Sequence, residues 1–226
     1  KMKKYGSIVL HQYFSEEILT KFENKYKNYF EAINLKPSNY TSRSDFLPLS
    51  EVLNSVWLDN TIITIIEKYI KKLPIARLYP DIISVTPQFD DCSTQKTDYA
   101  GVWHVDHASL IQFAVFFNDV KEDGSHMEVI PGTHTYPNVC TTGPMSDEYV
   151  KRKKLTIGKL YGKRGSVQIH CGNIYHRFKP AKNSTRTWVK FHFCSGNNIL
   201  YNPERMAKLF KDGFKLSSLD NKSRDI

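Results

Sequence analysis

The apolar residues change period about a third of the way along the chain, and that switch limits the available folds more than any other feature. Ser15 precedes Glu16 and Glu17, after which Ile18, Leu19, Phe22 and Tyr26 recur at roughly helical spacing. A capping serine, an acidic first turn and that spacing predict a helix to about Ala32. Leu53, Val56, Trp57, Ile62, Ile65, Ile66 and Ile70 carry the same period from Glu51 to Lys72, with Asp59-Asn60 as a point of interruption and Pro74 as a stop. From Leu78 the pattern becomes one of short β-branched and aromatic runs. These are Asp81 to Thr86, Leu110 to Phe117, Met127 to Ile130, Ser166 to His170 and Thr185 to Phe193, with clusters of Gly, Pro, Asn and Asp between them.

A further short strand is expected at Tyr5 to Leu10. Strands that follow a helical third predict an α+β chain, a β-sandwich or jelly roll braced by helices. Asn202 and Pro203 open a last short helix to about Phe210, and Ser217 to Ile226 reads as a loose tail. No repeat or linker divides the chain. A single domain over residues 1–226 is expected: a helical part to about residue 75, a β core to about 195, and a C-terminal helix and tail over 196–226.

Composition narrows the class. The 226 residues are 40% hydrophobic and 24% charged, ordinary values for a globular domain with a sizeable core. No apolar run approaches the ~20 residues of a membrane-spanning helix. Lys1 to Gly6 lacks the apolar core of a signal peptide, so a cytoplasmic location is expected, with Cys92, Cys140, Cys171 and Cys194 reduced. None of the four forms a close Cys-x-x-Cys pair, which argues against a zinc knuckle. The net charge of +9 could draw nucleic acid, an anionic membrane or an acidic small molecule. Lys151-Arg152-Lys153-Lys154 is the one dense basic run, and it reads as a solvated face. No nucleic-acid-reading motif accompanies it.

The chemistry-bearing residues begin with Trp103-His104-Val105-Asp106-His107. In a strand, residues two apart point the same way, so His104 and Asp106 can reach one metal from one strand end. Alone, such a triplet is a weak signal. Far downstream, Gly165 to His170 reads as a strand, Cys171-Gly172-Asn173 as a turn, and Ile174-Tyr175-His176 as a return. A hairpin there brings His176 beside earlier strands. Arg186 opens the next strand. Two imidazoles and a carboxylate on one face of iron(II) leave three positions open, two for a chelating 2-oxo acid and one for dioxygen. The far carboxylate of that acid then needs a planar cationic fork, which arginine supplies.

At these residues the chain resembles the phytanoyl-CoA dioxygenase family. The resemblance is carried by His104-Val105-Asp106, by Gly124 to His134 with its Val129-Ile130-Pro131-Gly132-Thr133-His134 ending, and by Gly165 to His176 followed by Arg186. Gly6 and its strand leading into Ser15-Glu16-Glu17 extend it over roughly residues 5 to 195. It implies a double-stranded β-helix, or jelly roll, with iron(II) held at one end by His104, Asp106 and His176. It also implies 2-oxoglutarate as co-substrate on Arg186. Gln88 and Gln112 are further candidates for touching the co-substrate. Trp103, His134 and His170 are candidates for approaching a small-molecule substrate.

The expected reaction is hydroxylation of an aliphatic C–H bond of a small, anionic molecule by dioxygen, with release of succinate and CO2. Desaturase, epimerase and halogenase chemistry on the same fold are the alternatives, with a non-catalytic metal-binding module beyond them. Asp106 argues against halogenation, because a halide needs the position that the carboxylate fills. His11, His107, His126 and His192 read as structural or surface histidines.

Overall fold

The computed structural model describes residues 1–35, 41–43, 47–48, 50–71, 74–85, 101–106, 110–136, 144–181 and 184–195. The expected C-terminal helix and tail, together with His107, Cys92, Cys140 and Gln88, lie outside the described residues.

The elements follow in order as α1 (Met2–Tyr5), β1 (Ser7–Leu10), α2 (Glu16–Lys25), α3 (Lys27–Leu35), β2 (Thr41–Arg43), α4 (Glu51–Trp57) and α5 (Asn60–Ile70). After them come β3 (Pro74–Val85), β4 (Leu110–Phe116), β5 (His126–Val129), α6 (Asp147–Arg152), β6 (Gly158–Leu160), β7 (Val167–Cys171), β8 (His176–Lys179) and β9 (Arg186–Ser195). A 3-10 turn at Thr133–Thr135 sits between β5 and α6. Among the described residues no helix is long and apolar enough to cross a membrane.

Local chemistry sets the helix starts. Ser15, Ser50, Asp59 and Ser146 each accept a hydrogen bond from the backbone N–H three residues on, satisfying a donor that the first turn leaves open. Asp59 therefore divides the second helical region into α4 and α5, at the point where its sequence pattern is interrupted. The first region departs from expectation. Instead of one helix to Ala32, the chain turns at Tyr26 and restarts as α3. Packing overrides periodicity here. Tyr26 is buried, its hydroxyl donates to the Pro48 carbonyl at 2.6 Å, and Ser50 Oγ lies 2.7 Å away. The bend also lets Phe22 touch Tyr26, Phe30 and Phe117 at once.

The described strands form two antiparallel sheets. One has six strands in the order β1-β7-β4-β9-β3-β2, and the other three in the order β6-β5-β8. The period of two divides the larger sheet into two faces. Ile111, Phe113, Val115, Val167, Ile169, Val189, Phe191 and Phe193 point outward into one core with Phe22, Leu53, Val56, Trp57, Ile62 and Ile66 of the helices. Ala114, Phe116 and Trp188 point the other way and pack with Met127, Val129 and Leu160 of the smaller sheet. The two sheets therefore face one another, with helices against the outer side of the larger one.

The passage from β7 to β8 corrects a sequence expectation. It is not a hairpin: β7 pairs with β1 and β4, while β8 pairs with β5 in the other sheet. The turn at Cys171-Gly172-Asn173 carries the chain from one sheet to the other. For the same reason β8 and β9 are not paired neighbours, and His176 and Arg186 lie on opposite sheets.

Arg164 ties the helical layer to this frame. Its guanidinium donates to Glu16 and Glu23 of α2 and to the Phe117 carbonyl, and these carboxylates hold its pKa above the ordinary value. The next residue, Gly165, has φ +81° and accepts from Phe14 N–H at 3.0 Å; an added Cβ would stand 2.4 Å from the Phe14 carbonyl oxygen. Gly101 has φ +73° and open space around it. Gly101→Ala should thus lose only the left-handed backbone cost, about 1–2 kcal/mol. Gly165→Ala should lose that plus a steric term, at least about 3 kcal/mol in total. Urea denaturation of the two variants side by side measures the difference, and equal losses would show that the Phe14 contact is not tight.

Candidate metal centre

The segment that carries His104 and Asp106 is not a full strand. It is an extended stretch held to β8 by a two-way backbone bridge. His104 N–H donates to the His176 carbonyl at 3.0 Å, and His176 N–H donates to the His104 carbonyl at 2.9 Å. Gly101 N–H donates to the Phe178 carbonyl, and Asp106 N–H to the Gly172 carbonyl. The stretch thus joins the smaller sheet beside β8, on the side away from β5.

This pairing brings one ligand-capable atom from each of His104, Asp106 and His176 within 4.8 Å of one another. His176 Nε2 lies 3.5 Å from one Asp106 oxygen, and His104 Nε2 lies 4.0 Å from the other. Both imidazoles are oriented alike. Nδ1 of His104 is 2.9 Å from the Val102 carbonyl, and Nδ1 of His176 is 2.9 Å from the Ile174 carbonyl. A carbonyl only accepts, so each Nδ1 carries the proton and each Nε2 turns a lone pair towards Asp106. Two lone pairs and a carboxylate converge, and that donor set fits a divalent metal with open positions.

The electrostatics agree with this arrangement. Burial favours a neutral Asp106, but the surrounding imidazoles, His176 first and then His104 and His170, outweigh it and hold the carboxyl well below its usual range. Burial depresses the pKa of His104, with His176 adding to the effect. His170 is depressed further, again chiefly by burial. The Lys190 charge pushes both imidazoles the same way.

The remaining sequence candidates separate. Gln112, on β4, donates its side-chain amide to Asp106, so it orients the carboxylate of the triad. His170, on β7, is 1% exposed, with its ring 5.0 Å from that of His176. Arg186 is buried on the inward face of β9, its guanidinium 3.6 Å from the Trp188 ring centre and 4.5 Å from that of Phe178. Trp103 points away from His104, into a cluster with Ile130, Val150 and Tyr175. His134 sits at the chain's start, with Nε2 3.1 Å from the Lys3 carbonyl.

Sequence reading missed a buried ionic network behind the site. Arg177 follows His176 and so faces the other side of β8. Its guanidinium donates to Glu128 at 2.7 Å and to Asp147 at 2.6 Å, and lies 4.2 Å from the Trp103 ring centre. Trp103 Nε1 donates to the same Asp147 oxygen. One arginine thus joins the His176 strand, β5, α6 and the residue preceding His104. Lys190, which shares the inward face of β9 with Arg186, was also missed. Strict alternation from Arg186 to Phe193 is the signal that would have found it.

A phytanoyl-CoA dioxygenase profile matches residues 2–186. That span is most of the chain, and the chain belongs to this family, which makes it an enzyme of the iron(II)/2-oxoglutarate oxygenase type. No functionally curated protein matches the sequence. Solved structures share the fold at low identity. The epimerase SnoN in complex with Fe3+, alpha ketoglutarate and nogalamycin RO superposes with a TM-score of 0.64 at 11% identity, covering 86% of this chain and 80% of that one. The alpha ketoglutarate dependent carbocyclase SnoK from nogalamycin biosynthesis gives 0.62 at 14%, over 86% and 81%. HygX from Streptomyces hygroscopicus with nickel, 2-oxoglutarate and hygromycin B bound gives 0.63 at 14%, over 89% and 87%.

The network has a pH signature. Burial would raise the Glu128 pKa, but the His126 ring 3.8 Å away and the hydrogen bond and charge of Arg177 outweigh it and bring it down from 4.5 to about 2. A depressed carboxyl contributes stability that is fully present above its unfolded value and lost as pH falls through its folded value. Glu128→Gln should therefore lose about 2 kcal/mol near neutral pH, after allowance for solvent screening. The gap to wild type should close between pH 4.5 and about 2. Urea denaturation of metal-free protein across that range measures it, and a gap independent of pH would remove the ionic role of Glu128.

Proposed function

We propose that the chain is an iron(II)- and 2-oxoglutarate-dependent hydroxylase acting on an aliphatic C–H bond of a small molecule, built on a double-stranded β-helix. The observation that carries this reading is the convergence of His104, Asp106 and His176 within 4.8 Å, with both imidazole tautomers fixed by backbone carbonyls. The two facing sheets, with the triad between β8 and its bridging segment, support the jelly-roll form.

In this reading His104, Asp106 and His176 hold iron, and Gln112 keeps the Asp106 carboxylate turned to it. Arg186 takes the distal carboxylate of 2-oxoglutarate, its fork presented between the rings of Trp188 and Phe178. When bound, the iron and co-substrate supply the oxidising power that removes hydrogen from an unactivated carbon. The protein's part is to orient the substrate and exclude water. The apolar residues between the sheets, Phe116, Trp188 and Met127 among them, keep the interior dry. With Arg186 engaged by the co-substrate, the inward Lys190 favours a substrate bearing an anionic group.

A second outcome of the same hydrogen removal has a specific basis. Neighbours of this fold include an epimerase and a carbocyclase. Both reactions end without oxygen entering the product. Isotope-labelled dioxygen separates them from hydroxylation, since only the hydroxylated product carries the label.

Wild-type protein should bind about one iron(II) per chain and convert 2-oxoglutarate to succinate. His176→Ala should lose metal and turnover together, because two remaining ligands do not complete a face. Arg186→Lys keeps the charge without the fork, so it should raise the 2-oxoglutarate requirement about tenfold or more while leaving metal content unchanged. Metal analysis and succinate assays read both. Full metal content in His176→Ala would remove it from the ligand set, and an unchanged 2-oxoglutarate requirement in Arg186→Lys would place the distal carboxylate elsewhere.

A further inference from the structure

One buried group beside the triad is left with no role by the reading above. His170 lies on β7, where Val167 and Ile169 pack outward against the helices. Alternation turns Gln168 and His170 inward. Its cross-strand partner on β4 is Gln112, which donates to Asp106. The ring of His170 stands 5.0 Å from that of His176, itself 4.3 Å from that of His104. His170 is 1% exposed, and neither ring nitrogen has a hydrogen-bond partner among the described residues.

That is an unfavourable state for an imidazole. Burying a donor and an acceptor unpaired destabilises a fold, and an apolar side chain of similar size would suit the unloaded protein better. Histidine at this position is therefore accounted for by something that enters the interior and pairs with it. Position selects the occupant. His170 is at the metal end of the inward face, whereas Arg186 is six residues from His192, which shares the row of His170 and Gln112. It is not a fourth ligand of the triad cluster, whose members are His104, Asp106 and His176.

We propose that His170 is a co-substrate-binding residue whose ring N–H donates to the metal-chelating carboxylate of 2-oxoglutarate, the end opposite the one held by Arg186. This rests on the iron and 2-oxoglutarate reading. It gives the co-substrate a protein contact at each end, one a fork and one a single neutral donor. It also moves His170 from the substrate-approaching role expected from sequence to a role in seating the co-substrate.

The test compares wild type, His170→Leu and His170→Gln, each loaded with iron(II) without oxygen and titrated with 2-oxoglutarate. Binding is read from the visible charge-transfer absorption of the chelate, and metal affinity is measured separately. Thermal unfolding is followed on the metal-free proteins. His170→Leu should weaken 2-oxoglutarate binding about tenfold or more, the effect of one hydrogen bond to a charged group. Its metal affinity should stay within about twofold of wild type, and its metal-free melting temperature should equal or exceed wild type. His170→Gln, which restores a donor, should recover part of the lost affinity.

Unchanged 2-oxoglutarate binding in His170→Leu overturns the assignment. Loss of metal overturns it by making His170 a ligand. A lowered melting temperature or failure to fold in the metal-free leucine variant also overturns it, because the argument requires the ring to burden the unloaded protein. If wild type itself gives no chelate absorption with iron and 2-oxoglutarate, the functional reading falls first and takes this inference with it.

Discussion

The reciprocal backbone bridge between His104 and His176 is the constraint on which the rest of the site depends. Two hydrogen bonds, 3.0 and 2.9 Å long, fix the spacing of two segments far apart in sequence. The side chains inherit that spacing. Each imidazole is then turned by its own backbone, through the carbonyl two residues upstream, so that neither ligand orientation relies on the metal. Asp106 is held from both directions, by its N–H on the Gly172 carbonyl and by its carboxylate on Gln112. A bridge of this kind is cheap to form only if both segments are already extended and side by side. The sheets and the helices behind them supply that condition.

The larger sheet does so by keeping its two faces chemically distinct. Outward residues of β4, β7 and β9 are apolar and make one core with α2, α4 and α5. Inward residues of the same strands include Gln112, His170, Arg186 and Lys190. Period two makes this segregation possible: a slip of one residue would send the imidazoles into the helix core and the phenylalanines into the site. Packing such as the 4.5 Å stack of Phe113 on Phe191 therefore sets the register of the inward polar rows as well as contributing stability.

Much of this was legible in the sequence, and the reasons differ by feature. Helix starts were readable because a cap is a local event: Ser15 needs only the backbone three residues away. The strand cores at β4, β7 and β9 were readable from β-branched and aromatic runs bounded by turn residues. The break at Tyr26 was not, because its cause is a hydroxyl reaching Pro48 and Ser50 across the fold. Nor was the change of sheet after Cys171. A Gly-Asn turn has the same local chemistry whether the chain folds back on its own sheet or crosses to the facing one. The triad was legible as a set of residue types in order, which the fold then brought together. Arg177 and Glu128 were illegible because an arginine beside a ligand histidine carries no sign of its partner until β5 and β8 are placed in register.

The two sides of β8 show how the fold divides its polar groups. On one side His176 faces a carboxylate and a second imidazole, the donor set for a divalent cation. On the other, Arg177 is saturated by Glu128, Asp147 and the face of Trp103. Breaking a buried ion pair by removing one partner is far more costly than the net value of the intact pair, so the saturated side resists rearrangement. The unsaturated side is free to gain from a ligand without having to move. Because the strand between them is one rigid element, tension from converging lone pairs at the triad cannot relax by rotating β8, since that rotation would pull Arg177 from its carboxylates. The ionic network thus preserves an arrangement that is unfavourable without metal and favourable with it, and metal binding returns that difference as added stability of the folded chain.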